Sequence, residues 1–397
     1  MPRRSATFLL VSVFLLIALG FVMLMSTVGF AADTADSTDT PGPSLGKLPR
    51  QFLWCGVGGI ALAGLTYFDY KKLKRFSWPI FWISAGALVC CFIPEIGKGV
   101  NGSHRWVGLP GKDVILGQPS EAARIGVVIF LAAWCARFKD DRNTFRKGFL
   151  YPLVIVGLPI GLIAAEVDLG TATLVFCVCT CMLFAAGARW VYVLGMFIIG
   201  CGILGLAIKN IPNRMARITA FIHLDDADKS KLAPAILEKM GQQQEALSAL
   251  GSGGPVGRGL GEGRHKHGYL PLPFTDFIFP NLGEELGLAG TLGTLLLFSI
   301  FCLTGLLIAS HAPDRFGKLL GTGLVLLIGF QSLINIAVTT GCMPNKGMPL
   351  PFISYGGSNL ACCMAIVGIL LNIHRQARPV ASMNDAVLSR PKLTPGH

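Results

Sequence analysis

Asp276 is the residue best placed to do chemistry. It lies in Leu270-Pro271-Leu272-Pro273-Phe274-Thr275-Asp276-Phe277-Ile278-Phe279-Pro280, where the longest polar stretch of an apolar chain ends. A carboxylate wedged between aromatics at the start of a membrane helix is costly to desolvate, and such groups mark functional sites. Three further stretches carry groups that could join it. Arg105 stands in Asn101-Gly102-Ser103-His104-Arg105-Trp106-Val107-Gly108. There a guanidinium either faces an anion or snorkels from an aromatic belt, and the residues leave both readings open. Glu121 and Arg124 sit three apart in Gln118-Pro119-Ser120-Glu121-Ala122-Ala123-Arg124. A charged pair on one helix face at membrane depth must meet a cavity or a partner. Pro119 and Glu121 are also ordinary helix-start signals, so a functional and a structural pairing stand side by side. Finally, Met343 to Ser358 is rich in Pro and Gly, and irregular backbone near membrane depth must line a cavity or lie buried in protein. This loop is expected to shape the site, with Lys346 as a phosphate contact and Ser354 and Ser358 as further candidates.

The elements that must hold these residues are membrane helices. The chain has 397 residues, of which 52% are hydrophobic and 14% charged, against about 25% charged in a soluble domain. Its mean hydropathy is +0.59. Apolar runs long enough to cross a bilayer fall at roughly 8–30, 51–69, 77–96, 119–136, 148–165, 169–187, 190–210, 283–309, 317–340 and 354–373. The sequence thus predicts an all-α polytopic membrane protein of about ten transmembrane helices, the fifth and sixth split only by Glu166-Val167-Asp168. Residues 1–378 form the membrane domain and 379–397 a disordered tail. Basic residues cluster on short loops such as Lys71 to Arg75 and Arg137 to Lys147. By the positive-inside rule these face the cytoplasm, as do both termini. The net charge of +12 then reflects anchoring to anionic lipid, with no call for nucleic acid. Arg3-Arg4 and Gly29-Phe30-Ala31-Ala32 resemble a signal peptide, but the apolar run between them exceeds a usual h-region, so it is read as a retained first helix.

The long loop, 211–282, would then lie outside. It opens with an amphipathic stretch carrying Arg214 and Arg217, continues through a helical middle (Asp225 to Ala249), and reaches Gly251 to Gly263, which holds seven glycines. Without a preceding strand or a Gly-Lys-Ser/Thr ending this is no nucleotide loop, and it reads as a flexible linker. Residues 31–50 read as a solvated connector. His265-Lys266-His267 lacks the partners a metal site needs, and Cys177, Cys179 and Cys181 have no nearby His, so the cysteines of the apolar spans read as packing; only Cys342 approaches the outer surface, and no disulfide framework is implied.

Several motifs, in order, now carry a resemblance. Asn101 to Trp106, Gln118 to Glu121, Asp168-Leu169-Gly170-Thr171-Ala172, Thr275 to Phe279 with Gly283-Glu284-Glu285-Leu286-Gly287, and Gly347 to Ser358 together resemble the SEDS family of peptidoglycan glycosyltransferases along nearly the whole chain. The Gly-Glu-Glu-Leu-Gly and Pro-Phe-Ile-Ser-Tyr-Gly-Gly-Ser wording is more similar to its FtsW members than to RodA; SpoVE is a further relative. The resemblance implies polymerisation of lipid II at the outer face of a bacterial cytoplasmic membrane, in cell division, beside a class B penicillin-binding protein transpeptidase and other divisome proteins. It makes Asp276 the essential acid and places Asp168 and Glu121 in the substrate site. Asp276, in an apolar setting, would suit a general base for the acceptor sugar hydroxyl. Arg105, Arg124, Arg214, Arg217 and Lys346 would neutralise the departing diphosphate. A divalent cation (Mg or Mn) could assist departure, though no ligand cluster demands one. Asp276 could instead simply cap its helix.

Two departures stand out. Pro271-Leu272-Pro273-Phe274 replaces the family's usual Pro-Glu-Ala-His, and Arg124 replaces its usual Lys. Competing readings are a lipid II flippase, which would string charges along a path through the bilayer, a non-catalytic division scaffold, and an elongation role like that of RodA.

Overall fold

Backbone groups find no water in a bilayer and must bond within the chain, and a helix stands in each of the ten predicted segments. The computed structural model describes residues 2–33, 46–94, 96–100, 103–108, 115–138, 144–224, 233–266 and 274–388. The helices in those segments are α1 (Pro2–Asp33), α2 (Lys47–Tyr67), α4 (Ser77–Cys90), α5 (Pro119–Arg137), α6 (Tyr151–Ala165), α7 (Leu169–Ala185), α8 (Trp190–Lys209), α11 (Ile278–Ser310), α12 (Arg315–Thr339) and α13 (Gly357–Leu388). Among the described residues, seven are long and apolar enough to cross a membrane. α4 and α7 are apolar but shorter, and α2 begins with Lys47, Arg50 and Gln51. The chain is an all-α polytopic membrane protein. Helices α3 (Tyr70–Arg75), α9 (Pro212–Ile222) and α10 (Pro234–Ser252) and a π-helical turn (Phe145–Leu150) complete it. α5 packs against α4, α7 and α12, and α12 against α7 and α11. Small residues permit the close approaches: Gly323 of α12 faces Met182 and Val128. α1 packs along α11, burying Leu9, Leu16 and Met23, so it belongs to the bundle.

Two expectations are corrected, and residues 97–118 hold a sheet that the sequence did not announce. Gly97–Val100, Ser103–Gly108 and Ile115–Gly117 form an antiparallel sheet, β1-β2-β3, of strands too short to leave a clear sequence period. α13 runs on to Leu388, ten residues into the predicted tail, where Ala381, Met383 and Ala386 favour helix; residues 389–397 lie outside the description.

The glycine-rich run is a clamp rather than a linker. α11 breaks at Gly287, with φ 66° and ψ −161°, and the loop after α10 fills the break. Arg258 N donates to Glu284 O (3.0 Å), Gly259 N to Glu285 O (3.1 Å) and Leu288 N to Gly254 O (2.9 Å). Buried Glu284 accepts from Arg264 N and His265 N. Glu285 accepts from Gly261 N, Lys266 Nζ and Ser26 Oγ of α1. The sequence reading missed this because it weighed the glycines' freedom without the two carboxylates that fix them. A Cβ on Gly257 would sit 2.2 Å from the Glu285 carbonyl oxygen, at φ 88°. Gly259 shares a positive φ, 109°, but has room. Gly257→Ala is therefore expected to lower the melting temperature of the purified protein more than Gly259→Ala, whose cost is backbone strain alone, of order 1–3 kcal/mol. Equal shifts would show that the loop is not docked.

Candidate active site

The turn 274–277, just before α11, is fastened to the loop that follows α12. Tyr355 N donates to Phe274 O (2.9 Å). Ser354 Oγ donates to Thr275 O (2.6 Å) and accepts from Leu350 N. Asn335 Nδ2, from α12, donates to both Asp276 O (3.0 Å) and Met348 O (2.6 Å). The Asp276 backbone is thus held by others while its carboxylate is left over. Phe277 occupies the N-cap of α11 without any side-chain bond, so Asp276 does not cap that helix. The carboxylate lies against Gly347, where a Cβ would come within 2.6 Å of Oδ2.

Cations face it from three other elements. The link Glu166-Val167-Asp168 joins α6 to α7, and Val167 takes φ 63°, a conformation that a β-branched residue adopts only when held there. Its carbonyl accepts from Arg105 Nη2 of β2 (2.9 Å) and from Arg214 Nη2 of α9. Asp168 caps α7, accepting from Thr171 N (3.1 Å) and Thr171 Oγ1 (2.9 Å), and lies 3.9 Å from Arg105 Nη1. Arg217 Nη1 donates to Asn345 O (3.4 Å). Lys346 runs over Gly170, where a Cβ would meet its Cε at 2.5 Å; the glycine of the Asp-Leu-Gly-Thr motif makes room for the ammonium.

The electrostatics single out this cluster. Burial raises the Asp276 carboxyl to about 6, against the pull of Arg105 and Arg217. Burial lowers Lys346 to about 8, partly offset by Asp168. Arg214 is lowered to about 10, first by burial and then by Arg217 and Arg105. Four cations thus share the space with Asp276 and Asp168, and Glu166 lies within electrostatic reach of Asp168 and Arg105. The Nε groups of Arg105 and Arg217 are buried without a hydrogen-bond partner, so donors remain for an anion.

Not every predicted residue joins in. Glu121 and Arg124 are enclosed, at 3% and 2% exposure, and paired with each other. Arg124 also donates to Gln331 Oε1 of α12 (2.6 Å) and Asn359 Oδ1 of α13 (3.0 Å), while Gln331 Nε2 donates to Pro349 O (2.8 Å). The expected diphosphate contact is instead a brace beneath the 343–358 loop, because both nitrogens at its tip are engaged inside the bundle. Buried Ser354 is a staple, and Ser358 is half-buried beside Gly117.

Sequence reasoning overlooked three groups. Asn335 and Gln331 are polar residues in an apolar helix, a signal of interhelical bonding. Lys47 was lost in the supposed connector. Its ammonium lies 3.8 Å from the centroid of the Phe274 ring, a cation at the position of one family departure; the other, Leu272, lies outside the described residues, as does His267.

A helix bundle with a half-buried acid set among half-buried cations, at the end bearing its largest loop, defines a membrane-embedded site for an anionic substrate. The sequence profile described as "Cell cycle protein", of the FtsW/RodA/SpoVE proteins, matches residues 6–379. Stage V sporulation protein E of Bacillus subtilis is 36% identical over 95% of this chain and 99% of its own length. A probable peptidoglycan glycosyltransferase FtsW of Geobacter sp. is 35% identical, over 84% and 88%. A crystal structure of a variant of the rod shape determining protein RodA from Thermus thermophilus superposes with TM-score 0.65 at 25% identity, over 93% and 97% of the two chains. A chain from a peptidoglycan synthase complex does so with TM-score 0.72 at 24% identity, over 93% and 97%, a likeness of fold. The chain belongs to the FtsW/RodA/SpoVE family.

Proposed function

We propose that this chain is an inverting peptidoglycan glycosyltransferase that polymerises lipid II at the outer face of the bacterial cytoplasmic membrane, with both termini in the cytoplasm. The observation that carries this reading is the uncommitted Asp276 carboxylate, raised to about 6 and facing half-buried guanidinium groups, of which Arg105 and Arg217 keep an unpartnered Nε. At neutral pH such an acid is mostly ionised yet more basic than an ordinary aspartate, as a general base requires. The acceptor's sugar hydroxyl attacks the anomeric carbon of the donor from the face opposite its diphosphate. The new C–O bond forms as the hydroxyl proton passes to Asp276. The old C–O bond breaks with its electron pair going to the lipid-linked diphosphate, whose charge Arg105, Arg214, Arg217 and Lys346 neutralise. Asp168 orients Arg105, Glu121 and Arg124 brace the loop, and Ser354 ties loop to turn.

Among the described residues no three His, Cys, Asp or Glu side chains converge. Asp276 and Asp168, crowded by cations, make a poor seat for Mg or Mn.

A role in division, with a class B penicillin-binding protein as partner, is supported by relatives named FtsW and by the fold shared with the synthase complex.

Arg105 tests the reading. Arg105→Lys keeps a charge but cannot span Val167 O and Asp168 while offering Nε outward. The initial rate of lipid II polymerisation is expected to fall about 10- to 100-fold in both Arg105→Lys and Arg105→Ala. An unchanged rate in both would remove this side chain from the site.

A further inference from the structure

The end of the bundle opposite the acid carries a second built space that the reaction does not use. A cavity of about 500 Å³ lies between α3, α4 and the C-terminal end of α5, a volume in the range of small-ligand sites. Lys71, Lys74, Arg75 and Arg137 line it together with Trp78, Trp134 and Phe138. All four cations are exposed, and none forms an ion pair among the described residues. Of the nearby acids, Asp69 lies beside Lys71 and Lys72, and Asp140 and Asp141 are outnumbered by Lys139, Arg142, Arg146 and Lys147, so the charge is not cancelled.

The aromatic wall is ordered. Trp78 meets Phe130 edge-on (5.0 Å) and Trp134 stacks obliquely on Phe138 (4.7 Å). Trp134 Nε1 donates to Lys147 O (3.0 Å), which fixes its ring. Tryptophans at a helix end mark the bilayer's headgroup level, so the cations sit at phosphate depth. One turn along α4 on the same face stands Trp82 (53% exposed), beside Ile83 (73% exposed). An apolar track therefore leads from the cavity toward the hydrocarbon.

We propose that this cavity binds the headgroup of an anionic phospholipid, with its phosphate held by Lys71, Lys74, Arg75 and Arg137 and its acyl chains laid along Trp78, Trp82 and Ile83. A free phosphate would meet the same cations but has no use for the apolar track. Basic pockets between membrane helices suit such headgroups. The inference is independent of the glycosyltransferase reading, since it concerns the other end of the molecule.

The test is lipid retention. Full-length protein is purified from mixed phosphatidylglycerol and phosphatidylcholine, and bound lipid is counted by native mass spectrometry. Wild type is expected to retain phosphatidylglycerol selectively. Lys71→Gln with Arg137→Gln is expected to weaken that retention roughly thirtyfold. Arg146→Gln with Lys318→Gln, which removes the same charge outside the cavity, should change it less than threefold. Equal losses in the two pairs, or none in either, would overturn the proposal by showing adhesion through net charge or no site at all. Displacement of the lipid by millimolar glycerol phosphate would also overturn it, in favour of a soluble anion. Melting curves identify any variant that has not folded. Lys74→Gln with Arg75→Gln is then read in place of the cavity pair, with the same expected loss.

Discussion

Asp276→Asn is expected to cut lipid II polymerisation by about 10²- to 10⁴-fold, the usual contribution of a positioned proton acceptor, without lowering the melting temperature. The two halves of that result rest on different atoms. Activity is lost because the amide cannot take the hydroxyl proton. The fold is kept because Asn335 and the 343–358 loop hold the turn through backbone carbonyls at 274–276 and Phe277, not Asp276, occupies the N-cap. The sign of the pH linkage agrees. With a folded value near 6 above the usual aspartate value, the native state holds its proton more tightly than the unfolded chain. Stability from this group is fully present below the unfolded value and lost as pH rises through 6. At neutral pH the ionised carboxylate thus opposes folding, and Asn at 276 should melt at the same temperature or higher. A lower melting temperature with unchanged rate per folded molecule would make Asp276 structural.

The same acid and Lys346 shape the pH–rate profile. Ionisation of Asp276 should give an acid limb near pH 6, and loss of the Lys346 proton an alkaline limb near pH 8. Lys346→Arg keeps its charge above pH 8, so its alkaline limb should disappear while the acid limb stays. Measured initial rates from pH 5 to 9 decide this, and an unmoved alkaline limb would assign it to another group.

Much of this site was legible in the sequence because membrane depth makes charge conspicuous. Asp276, Arg105 and Lys346 stood out as ionisable groups beside apolar runs, and the helices followed from the runs themselves. What stayed hidden were contacts between distant segments. That Val167 would turn its carbonyl to both Arg105 and Arg214 depends on a positive φ, which a valine does not advertise. That Gly170 clears a path for Lys346 joins positions 176 apart. The glycine-rich clamp misled for the same reason: its partners Glu284 and Glu285 belong to the next helix, and only packing reveals that they accept its amides. Spacing alone put Glu121 and Arg124 on one face, yet it could not say whether that face met the substrate or the neighbours Gln331 and Asn359.

That question has its own test. Arg124→Met leaves the Glu121 carboxylate buried without its cation and strips Gln331 and Asn359 of a donor. Removing one member of such a pair costs about 3–5 kcal/mol, whereas replacing both by apolar groups of similar size costs far less. Arg124→Met and Glu121→Met are therefore each expected to lower the melting temperature sharply, and the double variant to recover much of the loss, with a coupling of about 1–3 kcal/mol. Polymerisation by the folded double variant, assayed well below its melting temperature, should stay within roughly tenfold of wild type, since a tilted loop misplaces Lys346 but leaves every reacting group present. If the double variant instead melts like wild type and loses activity as completely as Asp276→Asn, the pair acts on the substrate. Arg124 would then belong with Arg105 and Lys346, and the bundle beneath the loop would have to open during the reaction.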